Sequence, residues 1–227
     1  HLPEGPYKDL RELMSLSEFI TKQHVSVQNQ IHRWLDKWFP EYSKVFKDWT
    51  GMMSMSTLKR FPTPKEIRKM SEEEVLTEWR KDVKRISKTH AKELIKQASC
   101  SISNEKGMDQ AAWMLKLLLD QYEQLTQQLE EIEEKSLSLL DDLSIYQSLE
   151  EIKGLSSHQI ARLVAEIGHV PNFSHGNQIL RLAGLHLGEN SSGKHKGEIT
   201  ITKRGRSRLR KHLFLAVLTL VKNNKEF

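Results

Sequence analysis

Apolar residues recur at alternating steps of three and four over two long stretches of the chain. Neither glycine nor proline interrupts the first stretch, from about residue 7 to 39, so it predicts one long helix that ends before Pro40. The second stretch, about residues 108 to 140, predicts another helix of the same kind. On each helix these positions form a seam, the line of residues that faces a partner helix. The first seam is Leu10, Leu13, Ser17, Ile20, His24, Val27, Ile31, Trp34 and Trp38; the second is Leu115, Leu118, Tyr122, Leu125, Leu129, Ile132 and Leu139.

Two heptad helices of similar length favour coiled-coil pairing. The pairing can form within one subunit or between subunits, and the sequence leaves both open. We expect a homodimer or a higher oligomer built through these helices. The outer face of the second helix is acidic, which is typical of a solvated coiled-coil face rather than a metal site; its residues are Glu123, Glu130, Glu131, Glu133 and Glu134.

Shorter helices are predicted between the two long ones. Thr63 before Pro64 is typical of an N-cap with proline at the first helical position, and Ser71 with Glu74 forms a capping-box pattern. No apolar run approaches the roughly 20 residues that span a bilayer, so we expect no membrane association. The single cysteine, Cys100, excludes a disulfide framework and suits a reducing cytoplasm, in a bacterium or an archaeon.

The pattern changes from Ser148 onward. A glycine turn at Gly154, between two helical segments, predicts a helix-hairpin-helix-like unit whose backbone N–H groups can meet a phosphate; a plain structural turn is the alternative. Lys153 and Gly154 are the candidate contacts. Alternating β-branched residues over 198–202 predict a short strand or hairpin arm. The predicted fold is therefore mainly α, with a helical coiled-coil region over 1–147 and a small helical domain over 148–227.

Charge separates the two regions. The chain carries +5 in total, but thirteen lysines and arginines stand against four glutamates from residue 152 onward, so this part carries +9 and the rest −4. Such asymmetry predicts a polyanion-binding C-terminal module, the alternative being a solvated basic face. The candidate nucleic-acid contacts in this module are Lys194, Lys196, Lys203, Arg204, Arg206, Arg208, Arg210 and Lys211.

Two serines, Ser191 and Ser192, lie in a glycine-containing loop just before these cations. A serine hydroxyl attacks a phosphodiester only when its charge is stabilised, which nearby arginines can do. His195 is either a proton shuttle for this loop or an ordinary loop histidine. Gly205 is expected to begin the final helix, whose cations run against the helix dipole, which we interpret as a requirement of function. No histidine or cysteine spacing predicts a metal site.

The C-terminal residues resemble the transposase domain of the insertion-sequence one-ten family, which also contains the Piv/MooV DNA invertases. The resemblance rests on order and spacing over about residues 148 to 220. The matching residues are Ile152 and Gly154, Glu166-Ile167-Gly168, Phe173, Ala183-Gly184-Leu185, Ser192-Gly193, Lys203-x-Gly205 and Leu209-Arg210. Lys153 replaces the proline usual in this family, and His186-Leu187 follows Gly-Leu where a proline is common.

The resemblance implies an enzyme with two halves. Family members begin with a RuvC-like domain whose Asp/Glu cluster binds a divalent metal, Mg²⁺, and no segment here is typical of its sheet. Since the chain starts at His1 rather than Met, we expect a fragment without that domain, without a cofactor of its own and inactive alone. The resemblance assigns the nucleophile to Ser192, with Ser191 the second choice. It also implies DNA as the partner and, in some members, a guide RNA.

Three functions remain open from the sequence. The leading hypothesis is a transposase or site-specific recombinase fragment whose serine attacks a DNA phosphodiester during strand exchange. The alternative is a non-catalytic coiled-coil module that binds nucleic acid. A scaffold built on the heptads alone is the third, and it leaves the arginine run unexplained.

Overall fold

The computed structural model describes residues 5–103, 106–189 and 199–225, and the predicted mainly α fold is confirmed. These residues form eleven α-helices, one 3-10 helix and a two-stranded antiparallel sheet. In chain order the elements are α1 (Pro6–Trp38), α2 (Tyr42–Val45), α3 (Met52–Arg60), α4 (Pro64–Ile67), α5 (Glu72–Arg80), α6 (Lys88–Ser99), α7 (Met108–Asp141), α8 (Ser144–Glu150), α9 (Ser157–Ile167), η1 (Val170–Asn172), α10 (Gly176–Ala183), β1 (Leu187–Glu189), β2 (Ile199–Ile201) and α11 (Ser207–Asn223).

The two long helices lie where the apolar spacing predicts them. Helix α1 has 33 residues and α7 has 34, each within about a residue of its predicted bounds. The short helix α4 begins at the predicted N-cap Thr63, which forms a capping box with Glu66, and α5 begins with the predicted capping box of Ser71 and Glu74. Local sequence signals therefore set these helix starts, because side-chain oxygens satisfy backbone N–H groups that have no partner in the first turn.

The chain divides into two compact units. One contains the described residues up to Ile20 and from Gln128 onward, and the other is Thr21–Gln127. The division falls within α1 and within α7. The predicted domain boundary between residues 147 and 148 stays a prediction.

The unit Thr21–Gln127 is built around buried aromatic side chains. Trp79 is fully buried, and its indole Nε1 donates to Thr57 Oγ1 at 2.9 Å. Tyr42 of α2 is also buried, and its hydroxyl is hydrogen-bonded to Ser54 Oγ at 2.8 Å. Large buried rings need a partner for each polar atom, and both have one.

Within this unit α1 and α7 pair with each other in one chain. His24 stacks on Tyr122 with 4.5 Å between ring centroids, and Trp34 Nε1 donates to the Ala111 carbonyl at 2.7 Å. Because residue numbers rise along α1 as they fall along α7, the pair is antiparallel. Intramolecular pairing thus occupies this part of the seams, and oligomerisation through the helices stays a prediction.

The other unit is formed mainly by α9, α10 and α11. Its core includes Leu163, Ala183, Leu209 and Ala216. Strands β1 and β2 form the predicted hairpin, in which Leu187 pairs with Ile201. Helix α11 begins at Ser207 rather than directly after Gly205. The apolar side chains of α11 are only partly buried, because α9 and α10 cover one side of the helix while Val217 and Val221 remain exposed.

A close approach of two glycines joins these elements. A Cβ on Gly205 would lie 2.5 Å from the Gly184 nitrogen and from the Leu182 carbonyl, and one on Gly184 would lie 2.9 Å from the Arg204 carbonyl carbon. Gly184 also ends α10 in the left-handed region, at φ +69°, which favours glycine. We call this contact the glycine junction (Gly184 and Gly205).

Among the helices of the described residues, none combines the length and the apolar character that a bilayer crossing requires.

The glycine junction predicts an asymmetry between two Gly→Ala substitutions. Gly205→Ala should lower the free energy of unfolding by about 3 kcal/mol, because its new methyl group meets backbone atoms that have no freedom to rotate away. Gly176→Ala is the control, since nothing lies within 4 Å of the added Cβ at the start of α10. It should change stability by no more than about 1 kcal/mol. Chemical denaturation of both variants measures this, and equal effects would contradict the close approach.

Candidate functional site

Helices α8 and α9 flank the glycine turn that the sequence singles out. Gly154 in this turn has φ +103°. Ser156 and Gln159 form a capping box at the start of α9, and the Tyr146 hydroxyl of α8 lies 3.1 Å from Ser157 Oγ. Two helices joined by a glycine turn are thus present, while their assignment as a helix-hairpin-helix-like unit stays a prediction. Since the capping box already satisfies part of the N-terminal N–H groups of α9, fewer remain for an anion.

One side of this turn packs inside the unit. A Cβ on Gly154 would lie 3.4 Å from the Thr219 carbonyl and 3.5 Å from the Leu220 Cα, both on α11. Lys153, in contrast, is exposed. Contact of Lys153 and Gly154 with phosphate stays a prediction. The Lys153 side chain is accessible for it, whereas Gly154 packs against α11.

Two arginines at the start of α11 turn into the unit. Arg206 Nη1 donates to the Glu166 carbonyl in the last turn of α9. Arg210 Nη1 donates to the Ala183 carbonyl at the end of α10, at 2.8 Å. Carbonyls at a helix C-terminus lack intrahelical partners and carry partial negative charge, so both guanidinium groups stabilise a helix end. These contacts give Arg206 and Arg210 a structural reason to lie at the N-terminal end of α11, where the helix dipole disfavours cations. The interpretation of these cations as a requirement of function alone is therefore incomplete.

The next two cations of α11 form ion pairs. Arg208 Nη2 lies 2.8 Å from Glu18 Oε2, and Lys211 Nζ lies 3.4 Å from Glu18 Oε1. Arg208 Nη1 also donates to Ser15 Oγ at 3.0 Å, and its Nε lies 3.4 Å from Glu166 Oε1, close enough for attraction but without hydrogen-bond geometry. Glu18 and Glu166 were not among the predicted site residues. The spacing of the arginines alone gives no signal for them.

Lys203 and Arg204 differ from the other cations of the arginine run, residues 203–211. Both side chains are exposed, and neither forms an ion pair with the described residues. They follow β2 directly, before the chain enters α11. Lys203 is the one described residue other than glycine with a positive φ, at 54°. These two cations are the members of the run whose charge faces solvent without compensation.

The remaining predicted site residues lie outside the described part of the chain. Residues 190–198 connect β1 to β2 in the sequence. They include the candidate nucleophiles Ser192 and Ser191, the cations Lys194 and Lys196, and His195. Their roles stay predictions. The described residues fix only where this segment leaves β1 and returns to β2.

A second cluster of titratable groups lies where α9 faces α11. Arg162 and His212 line a cavity of about 260 Å³ together with Gln159, Leu215, Leu218 and Thr219. Burial, and after it the positive charges of Arg162 and Lys211, lower the pKa of His212 to about 4, against a smaller opposing effect of Glu18. Burial also lowers the pKa of Arg162. His212 is therefore neutral at neutral pH and adds no charge for binding an anion.

Among the described residues, no group of three or more His, Cys, Asp or Glu side chains is placed to hold a metal ion. The acidic run of α7 contributes to none.

A comparison with known families finds a match over the C-terminal part of the chain. Residues 146–227 match the family model described as the transposase IS116/IS110/IS902 family. The resemblance found in the sequence is confirmed over this part, and its similarity to this family supports, at a coarse level, a DNA-processing enzyme. No curated protein matches the chain significantly.

The contacts of the arginine run predict that its members separate into two groups. Arg206→Gln and Arg210→Gln should each lower the free energy of unfolding by about 1–2 kcal/mol, because helix-end carbonyls lose their donors. Arg204→Gln is the matched control and should change it by less than about 0.5 kcal/mol. Thermal or urea unfolding measures all three, and a uniform response would contradict the assigned contacts.

The surroundings of His212 predict a loss of stability in acid. Its pKa of about 4 in the folded chain lies below the ordinary value of 6.5, so between these values the unfolded chain binds a proton that the folded chain does not. Its contribution is complete above about pH 6.5 and is lost as the pH falls towards 4. His212→Gln should therefore flatten the melting temperature across this window.

A direct readout is the NMR titration of the His212 ring. Because burial is the larger cause, Arg162→Gln should raise its pKa only part of the way towards the ordinary value. A ring that titrates near pH 6.5 in the unaltered chain would refute the buried placement.

Proposed function

We propose, on the premise that residues 146–227 belong to the IS116/IS110/IS902 transposase family, that the chain is part of a DNA transposase or site-specific recombinase in which Ser192 attacks a DNA phosphodiester during strand exchange. The observation that carries the proposal is the convergence of the motif residues. Gly184, Gly205 and Arg210, distant in sequence, meet at the glycine junction, next to which the described strands β1 and β2 begin and end.

The chemistry requires a phosphorus centre and a stabilised hydroxyl. Ser192 Oγ would form a bond to phosphorus and lose its proton to a nearby base, for which His195 is the local candidate. The bond from phosphorus to one deoxyribose oxygen would break, and that oxygen would take a proton. A transient phosphoserine linkage would remain until the hydroxyl of another strand end attacked it and released the serine.

Cations would stabilise the extra negative charge of the five-coordinate phosphorus. Guanidinium groups suit this because they offer paired donors to phosphate oxygens and remain charged at any working pH. Lys203 and Arg204 are free for such contacts, and Lys153, Lys194 and Lys196 are further candidates. Arg206, Arg208, Arg210 and Lys211 would first have to exchange their partners within the chain, so we assign them a supporting role.

Other parts of the complete enzyme follow from the family resemblance. A RuvC-like domain would supply the divalent metal, Mg²⁺, and its metal-assisted chemistry. No described group of this chain fits such an ion, so no step of the reaction is assigned to it. We further propose DNA as the main partner, a guide RNA as a second one, association into dimers or larger assemblies through the heptad helices, and a cytoplasmic site of action.

The decisive substitution is Ser192→Ala in a protein that also contains the RuvC-like domain. We expect it to abolish the covalent protein–DNA adduct and strand exchange, while the affinity for DNA changes less than about twofold, since a neutral hydroxyl contributes little to polyanion binding. Ser191→Ala is the matched control and should retain the adduct. Denaturing gel electrophoresis with labelled DNA measures both.

Two outcomes would reject the proposal. If Ser192→Ala retained the adduct and Ser191→Ala lost it, the nucleophile would be Ser191. If the unaltered protein formed no adduct with any DNA substrate and yet bound DNA in a salt-dependent way, the chain would be a non-catalytic nucleic-acid-binding module.

A further inference from the structure

The β1–β2 hairpin exposes an apolar face. Paired residues of two antiparallel strands lie on the same face, as do alternate residues of one strand. Since Leu187 pairs with Ile201, and Ile199 is two residues from Ile201, all three side chains share one face. The exposed fraction is 68% for Leu187, 66% for Ile199 and 44% for Ile201. We call this surface the hairpin face (Leu187, Ile199 and Ile201).

This exposure is costly for so small a sheet. A two-stranded hairpin alone is only marginally stable in water and normally packs an apolar face against something else. On the opposite face Thr200 is also exposed, and a Cβ on Gly188 would lie 2.6 Å from Thr202 Cγ2, a contact within the hairpin itself. None of the described residues covers the hairpin face. The exposed apolar side chains make the hairpin face a candidate surface for a partner.

The charge beside the hairpin face indicates what that partner is. Lys203 and Arg204 follow β2 at once, are exposed, and form no ion pair within the described chain. The four cations at the start of α11, by contrast, have partners inside the unit: Arg206, Arg208, Arg210 and Lys211. Three apolar side chains bordered by two uncompensated cations complement a surface that alternates apolar atoms with phosphates. Nucleic acid has such a surface.

The base of the hairpin is held firmly enough to present this face. Thr202 N donates to the His186 carbonyl at 3.1 Å, Lys203 N to the Gly184 carbonyl at 3.0 Å, and Arg206 N to the Leu182 carbonyl at 2.7 Å. Lys203 also keeps a left-handed backbone, which costs a residue other than glycine about 1 kcal/mol. Hydrogen bonds on either side of Lys203 thus fix the direction in which the strands project.

We propose that the β1–β2 hairpin is the DNA-docking element of this unit: its hairpin face enters a groove of duplex DNA while Lys203 and Arg204 contact the flanking phosphates. A two-stranded ribbon fits the major groove of B-form DNA, whereas the major groove of A-form RNA is too narrow for it. Leu187, Ile199 and Ile201 then contact base edges, thymine methyl groups among them. The inference rests on the proposed function, and it replaces the basic helix α11 with the hairpin as the first contact.

The test compares the hairpin with the exposed side of α11. The hairpin variants are Ile199→Ser with Ile201→Ser, and Arg204→Gln. The matched controls are Val217→Ser with Val221→Ser, at side chains 50% and 61% exposed on α11, and Lys222→Gln on its last turn. Fluorescence anisotropy gives the Kd of each for a DNA duplex and for an RNA duplex of the same sequence, over a range of salt concentrations, with circular dichroism to verify the fold.

We expect the double isoleucine variant to bind duplex DNA about tenfold more weakly, the loss equivalent to burying two partly exposed apolar side chains. Arg204→Gln should reduce the slope of log K against log salt by about one, as the loss of one phosphate contact does. Both control variants should stay within about twofold of the unaltered chain, and RNA duplex affinity should change little with the isoleucine variant.

Several results would overturn the proposal. Unchanged DNA affinity in both hairpin variants would do so, as would an equal loss in the α11 controls or an equal loss for the RNA duplex. A changed oligomeric state with unchanged DNA affinity per chain would assign the hairpin face to a second copy instead. If the isoleucine variant failed to fold, the salt slope of Arg204→Gln would decide alone. Because none of these readouts requires DNA cleavage, failure of the Ser192 proposal leaves them interpretable.

Discussion

The close approach of Gly184 and Gly205 is the constraint on which the C-terminal unit depends. Backbone atoms of the two segments come so near that any side chain at Gly205 would overlap the backbone around Gly184. This proximity lets the Arg206 amide reach the Leu182 carbonyl and begins α11 beside the end of α10. Two separate motifs of the family resemblance, Ala183-Gly184-Leu185 and Lys203-x-Gly205, thus meet in one close backbone contact.

The same junction explains how the positive charge is divided. An arginine one or five positions after Gly205 is close to the ends of α9 and α10, where Arg206 and Arg210 bind carbonyls. Arg208 and Lys211 lie on another side of α11 and pair with Glu18. Among the described cations of residues 203–211, Lys203 and Arg204 form no ion pair and keep their charge for a partner. A basic run in sequence is therefore partly a set of internal contacts and partly a binding surface.

Much of the fold is predictable from the sequence because it depends on local signals. The three–four spacing predicts α1 and α7, the N-cap Thr63 before Pro64 predicts α4, the capping box of Ser71 and Glu74 predicts α5, and the β-branched residues before Thr202 predict β2. The roles of Arg206 and Arg208 are not predictable in this way. Their partners are set by which helix ends and carboxylates meet in three dimensions, and Glu18 is 190 positions from Arg208 along the chain. The serine segment is predictable only by its resemblance to the family.

The most direct test of this account is hydrogen exchange at the backbone amides of Thr202, Lys203 and Arg206. If the glycine junction holds the hairpin base as one body with the helices, these amides should exchange only when the whole unit unfolds, as slowly as buried amides of α11 such as that of Ala216. Fast exchange at the three amides while α11 stays protected would show that the hairpin opens independently, and the account of a fixed docking element would be wrong.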